Sequence, residues 1–155
     1  MLEPFQIVRT SPLLFASIRI NVPRAEIRSV MGPGLAELTS VVAAQGIAVT
    51  GPWFTHHFRT PGEIFDFEIC LPVASSVSPA GRAKPGQMPA RTVAQTIYHG
   101  GYEGLGDAWG DFLEQIKAAG HQTGEDLCER YLAGPEVGPD PAAWQTELNR
   151  PLILA

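Results

Sequence analysis

Hydrophobic positions along this chain follow two rhythms, every second residue or every third to fourth, and Gly and Pro mark where one gives way to the other. Residues 5–9 and 13–22 carry β-branched and aromatic residues in short runs separated by Ser11-Pro12, which predicts two strands. Pro23 suits the first turn of a helix, and Ile27, Val30 and Met31 keep helical spacing until Gly32-Pro33-Gly34. The spacing resumes at Leu35, Leu38, Val41 and Val42 and stops at Gly46, predicting one broken helix or two short ones. Residues 47–58 and 64–73 predict strands again, around a turn at Arg59-Thr60-Pro61-Gly62.

Residues 74–90 hold Pro79, Gly81, Pro85, Gly86 and Pro89 with no period that could bury a face, so they read as a linker. Beyond them, residues 91–99 predict a strand. Residues 102–119 predict a helix with Leu105, Ala108, Trp109, Phe112, Leu113 and Ile116 on one stripe, closed by Gly120. Residues 126–133 and 144–152 supply two more strands around a turn rich in Gly and Pro. The order strand, helix, strand, strand thus occurs twice. Both halves also close on one pattern of Glu, aliphatic, two residues, Pro, aliphatic: Glu68-Ile69 with Pro72-Val73, and Glu147-Leu148 with Pro151-Leu152. The expectation is a single domain over residues 1–155, with repeat one at 3–73, a linker at 74–90 and repeat two at 91–152.

Composition narrows the class. With 155 residues, 45% apolar and 17% charged, the chain is sized for one folded domain, and 16 Gly and 14 Pro argue against a bundle or coiled coil. Eleven Lys and Arg against 16 Asp and Glu give a net charge of -5, so no basic field draws in a phosphate backbone and direct nucleic-acid binding is not expected. No basic head with an apolar stretch opens the chain and no apolar run approaches membrane-spanning length, which predicts a cytoplasmic protein without membrane association. Cys70 and Cys128 sit in strand-like segments outside any CxxC pattern and read as buried free thiols.

Four segments carry a family resemblance: Tyr98-His99-Gly100-Gly101-Tyr102-Glu103-Gly104-Leu105, Ala108-Trp109, Cys128-Glu129-Arg130-Tyr131, and the run from Trp144 to Leu152. Together they resemble the GyrI-like (gyrase-inhibitory-protein-like) small-molecule-binding domain, which is similar to the effector-binding domains of AraC-type and MerR-type multidrug regulators. The resemblance implies an α+β fold of duplicated β-α-β-β repeats with pseudo-two-fold symmetry. It implies an antiparallel sheet, two helices and an inter-repeat cleft for bulky, often cationic or aromatic, ligands. Two departures stand out: His99-Gly100-Gly101-Tyr102 replaces a joint that often has Pro before Tyr, and the segment 74–90 is longer than usual. With no helix-turn-helix on either side, the expectation is a domain standing alone, sensing or sequestering toxic compounds.

The candidate site centres on Glu129 and Tyr131, two apart on a strand and therefore on one face, beside Leu127. A carboxylate among apolar and aromatic groups has a costly charged form, so it attracts a cation or carries a proton. In the family an acidic residue on this strand forms the anionic floor, and Glu129 matches it. Trp53, Phe54, Tyr98, Tyr102, Trp109 and Tyr131 are candidate walls for a planar or cationic ligand. Tyr98 and Tyr102 flank the glycines at the helix entrance and suit that role better than Trp109, which lies on the core stripe. His57, Glu68 and Glu147 complete the candidate ligand set, the two glutamates either lining the cleft or closing a sheet edge. Adjacent His56 and His57 point to opposite faces of a strand, a poor geometry for one metal, and the glycine segments lack phosphate-binding spacing, so no metal or other cofactor is expected. Two alternatives stand beside the binder. One is a hydrolase of cyclopropane-bearing electrophiles, as the resemblance implies for some members, with Glu129 and Tyr131 activating water. The other is a protein partner such as gyrase, for which no acidic run or exposed apolar stripe speaks.

Overall fold

The two rhythms become nine strands and two α-helices in a computed structural model that describes residues 1–153. After a short strand β1 (Gln6–Arg9), the chain forms β2 (Leu13–Pro23), α1 (Ile27–Ala44), β3 (Phe54–His57), β4 (Ile64–Pro72) and β5 (Ala83–Met88). It continues through β6 (Thr92–His99), α2 (Leu105–Ala118), β7 (Gln122–Thr123), β8 (Leu127–Ala133) and β9 (Gln145–Ile153). The fold is α+β, and the strands pair antiparallel. The chain divides into one unit of Ser11–Ala90 and another of Met1–Thr10 with Arg91–Ala155.

In the first unit the strand order is β3-β4-β2-β5, and in the second it is β8-β9-β6-β1, with β7 added on β9. These are the same order. The fourth strand of each is the segment preceding the other repeat in sequence: β5 leads into β6 yet pairs with β2, and β1 leads into β2 yet pairs with β6. The residues 1–10 therefore group with the second half and not with the repeat expected at 3–73. Registers coincide too, since Phe15 faces Pro72 as Val93 faces Pro151. Glu68 and Glu147 thereby hold equivalent positions, four residues before those prolines.

Both helices end alike. The Gly46 N–H donates to the Ala43 carbonyl and the Ile47 N–H to that of Val42, while the Gly120 N–H donates to Lys117 and the His121 N–H to Ile116. Gly46 and Gly120 take φ of 68° and 87°, the left-handed values this closure needs. Each helix lays its apolar stripe on the strands of its own unit: Leu38 and Val42 on Ile18, Ile20, Phe67 and Ile69 in one, Trp109, Phe112 and Ile116 on Leu127 and Leu148 in the other.

Three expectations need correction. The helix expected to break at Gly32-Pro33-Gly34 runs unbroken through it. Pro33 lies on the exposed side, where water serves the carbonyl it leaves without a donor. Gly34 faces the sheet so closely that a Cβ would stand 2.6 Å from Ile69 Cδ1. The strand expected over 47–58 is confined to Phe54–His57, because Gly51-Pro52 interrupts the extended chain. The linker at 74–90 contains β5, which pairs with β2 from Leu13↔Met88 to Ile18↔Ala83. Pro85 is tolerated there because β5 is the outer strand of its unit.

Gly86 explains how so unpromising a segment forms a strand. A Cβ at Gly86 would lie 2.2 Å from Phe15 Cε2 and 2.6 Å from Cζ, so the strand passes directly against a buried ring that itself packs edge-on to Phe54. Gly86→Ala is therefore expected to lower stability by about 1–3 kcal/mol, the scale of overpacking. Urea unfolding checks it: a midpoint equal to wild type would show that Phe15 has room to move.

Candidate functional site

Alternation along β8 puts Leu127, Glu129 and Tyr131 on the face that α2 covers, from core to rim. Helical spacing brings Trp109 over the same strand. Its indole Nε1 donates to Glu129 Oε2 at 2.7 Å, and the Tyr131 hydroxyl donates to Oε1, also at 2.7 Å. Glu129 is 9% exposed, and among the described residues it forms no ion pair. Both donors are neutral, so they satisfy the carboxylate without cancelling its charge.

An aromatic rim continues from Tyr131. Tyr102, in the 3-10 turn Tyr102–Gly104 leading into α2, meets Tyr131 edge-on at 5.9 Å and Trp144 at 5.1 Å. Trp144 is held in turn by its Nε1, which donates to the Gly138 carbonyl at 3.0 Å. Gly134 lets this turn close on the rim, because a Cβ there would stand 2.4 Å from the Tyr102 hydroxyl oxygen. Burial raises the Tyr102 phenol above its usual range, with the charges of Glu136 and Glu129 adding to the effect. Trp144, which opens the run that carries the resemblance, was not among the expected walls, because its place at the end of a Gly- and Pro-rich turn hid it.

Of the residues expected in the site, Glu129, Tyr131, Tyr102 and Trp109 come together. Trp109, a candidate wall that lies on the core stripe, does two things: its ring packs on Phe112 while its N–H holds the carboxylate. Tyr98, also expected as a wall, is seated at the entrance to α2. It is buried, and its hydroxyl donates to the Gly101 carbonyl at 3.0 Å in a seat that Gly100 and Gly104 leave open, 2.6 and 2.2 Å from where their Cβ atoms would be. Trp53, Phe54 and His57 belong to the other unit, where Trp53 packs on the core, Phe54 on Phe15, and His57 stacks on Phe67 at 4.8 Å.

Glu68 and Glu147 point to the sheet faces away from the helices, as alternation predicts, and they share one arrangement. Glu147 accepts from Gln95 at 3.2 Å and from Asn149 at 3.0 Å, with Arg130 at 3.5 Å from the neighbouring strand. Glu68 has Cys70, two residues on, at 3.8 Å from Sγ, with His56 opposite on the neighbouring strand. Burial raises the Glu68 carboxyl above its usual range, opposed by the charges of His56 and Arg19 and by hydrogen bonds from Cys70 and Ser17. Among the described residues no group of three or more His, Cys, Asp or Glu is placed to hold a metal, and no helix is long and apolar enough to cross a membrane.

The model of the GyrI-like small molecule binding domain matches residues 3–152. Among curated proteins none matches the chain. The C-terminal domain of EcmrR has a similar structure, with a TM-score of 0.87 at 22% identity over 98% of each chain. Against EcmrR in its complex with DNA, this chain spans 58% of that protein's length. A hydrolase from Listeria innocua matches with a TM-score of 0.71 at 10% identity, over 96% of this chain and 91% of that one. SAV2435 bound to tetraphenylphosphonium matches with 0.64 at 8% identity, over 97% and 94%. At these identities the likeness is one of fold.

Two outcomes follow. In a double-mutant cycle, Trp109→Phe and Glu129→Leu should each destabilise the fold alone yet couple by about 1–3 kcal/mol, since the first leaves a buried carboxylate one donor short. Additive losses in urea unfolding would refute the bond's energetic role. For Glu68, the raised folded-state value means its contribution is complete below the unfolded value and lost as pH rises through the folded one. Glu68→Gln should therefore gain stability relative to wild type as pH rises above the usual glutamate range, read as the difference between the two unfolding curves. A constant difference across that rise would show that burial does not govern this carboxyl.

Proposed function

The chain belongs to the GyrI-like small-molecule-binding domain family, and from that premise we propose that it captures bulky hydrophobic cations, sensing or sequestering toxic compounds, with Glu129 as the counter-charge. The observation that carries this reading is the environment of Glu129: a buried carboxylate held by the Trp109 indole and the Tyr131 hydroxyl, with no cationic side chain paired to it among the described residues. A buried charge without a partner is destabilising, and a cation arriving from solution relieves it. Aromatic faces next to the carboxylate strengthen the preference, because Tyr131, Tyr102 and Trp144 offer ring surface to a lipophilic cation while excluding water. SAV2435, of like fold, is bound to tetraphenylphosphonium, a cation of this kind, which supports the same class for this chain.

Selectivity for charge follows from the geometry. Glu129→Gln keeps the shape and removes the charge, so it should weaken tetraphenylphosphonium by about tenfold or more, on the order of 1–3 kcal/mol, and triphenylphosphine oxide, neutral and similarly aromatic, far less. Calorimetric titration of both compounds decides: equal losses would assign recognition to shape alone and reject the electrostatic role.

A further inference from the structure

Two strand positions on the Glu129 face differ between the units in a way the reading above does not use. β8 and β9 pair Tyr131 with Thr146, and β6 and β9 pair Thr146 with Tyr98, so the threonine lies between two tyrosines on one face. Both phenols are committed elsewhere, Tyr131 to Glu129 and Tyr98 to the Gly101 carbonyl. Thr146 is 0% exposed, and its hydroxyl has no hydrogen-bond partner among the described residues. A fully buried hydroxyl with no partner destabilises a fold, and valine would fill the same volume without that cost.

The equivalent position in the other unit shows what a purely structural solution looks like. There Phe67 occupies the position of Thr146 and His57 that of Tyr131, by register on β4 and β3, and the two rings stack at 4.8 Å in the core. The second unit has instead a small side chain whose polar atom is unmet among the described residues, next to the carboxylate that pairs with no cation among them. Trp144, two residues before Thr146 in extended backbone, lies on the same face, and the exposed Tyr102 ring rests on it.

We propose that Thr146 is a ligand-contacting residue that sets specificity: its hydroxyl meets a hydrogen-bonding substituent of the bound cation. This rests on the Glu129 reading and narrows it, from lipophilic cations in general to those carrying a hydroxyl, ether or carbonyl group beside the charged centre. The cation neutralises Glu129, and its substituent meets the Thr146 hydroxyl on the same face. Thr146→Val and Thr146→Ser separate the hydroxyl from its volume.

The test measures triphenylphosphonium cations bearing hydroxyalkyl chains of two to four carbons, each against the alkyl cation of equal length with methyl in place of hydroxyl. For at least one chain length the wild type should favour the hydroxyl compound relative to Thr146→Val by about fivefold or more, with Thr146→Ser retaining the preference and Glu129→Gln weakening both compounds alike. Thr146→Val should melt at or above the wild-type temperature. Ratios unchanged by Thr146→Val across all lengths, in a wild type that binds the cations, overturn the role of Thr146 and leave Glu129 standing. A wild type that binds none of them overturns both. A Thr146→Val variant that melts below wild type makes the hydroxyl a structural group and also overturns the proposal.

Discussion

The hydrogen bond from the Trp109 indole to the Glu129 carboxylate ties helix α2 to strand β8, and the rest of the candidate site depends on it. A carboxylate on the helix-covered face of a sheet is tolerable only when donors reach it, and a buried indole N–H needs an acceptor. Each removes the other's difficulty. The helix stripe that packs Phe112 and Ile116 on the sheet therefore also fixes the carboxylate, and Tyr131 takes the remaining oxygen. Tyr102 then seats against Tyr131, and Trp144 against Tyr102. A chain of contacts that starts in the core ends at the exposed rim.

Duplication makes the specialisation visible. Counting back from the glycines that close the helices, Leu35 stands where the other unit has Trp109; by strand register, Thr55 stands for Glu129 and Phe67 for Thr146. One unit fills these positions with apolar or small groups and builds an ordinary core. The other accepts a carboxylate and an unmet hydroxyl on the same face, which lowers its own packing energy. Natural folds tolerate such departures from a fully apolar core where a site is needed.

Much of this was legible in the sequence where one local rule decided the outcome. The glycines at 46 and 120 marked both helix ends because left-handed backbone favours glycine, and the two-residue spacing of Glu129 and Tyr131 put them on one face without knowledge of the fold. What escaped depended on partners distant in the chain. β5 reads as a linker until Phe15 supplies the ring against which Gly86 fits, and Pro33 reads as a break until the exposure of its helix face is known. Helical period showed that Trp109 faces the core but could not show that its N–H ends on a carboxylate. Tyr98 was expected as a wall because glycines flank it, and what the sequence did not show is that those same glycines seat its hydroxyl.

The closing glutamates contrast with Glu129. Glu68 and Glu147 occupy equivalent strand positions, and each has a hydrogen-bonding side chain two residues on and a basic residue opposite on the neighbouring strand, Cys70 with His56 and Asn149 with Arg130. A partnership retained in both units by different residue types is one that the fold itself requires, since each sheet buries that carboxylate and must supply donors for it. Glu129 has no carboxylate counterpart, takes its donors from a helix and its own strand, and pairs with no cation among the described residues. Its burial does not follow from the repeated architecture. A group that the shared fold does not demand, present in one unit alone, is what the proposed role of Glu129 as a counter-charge accounts for.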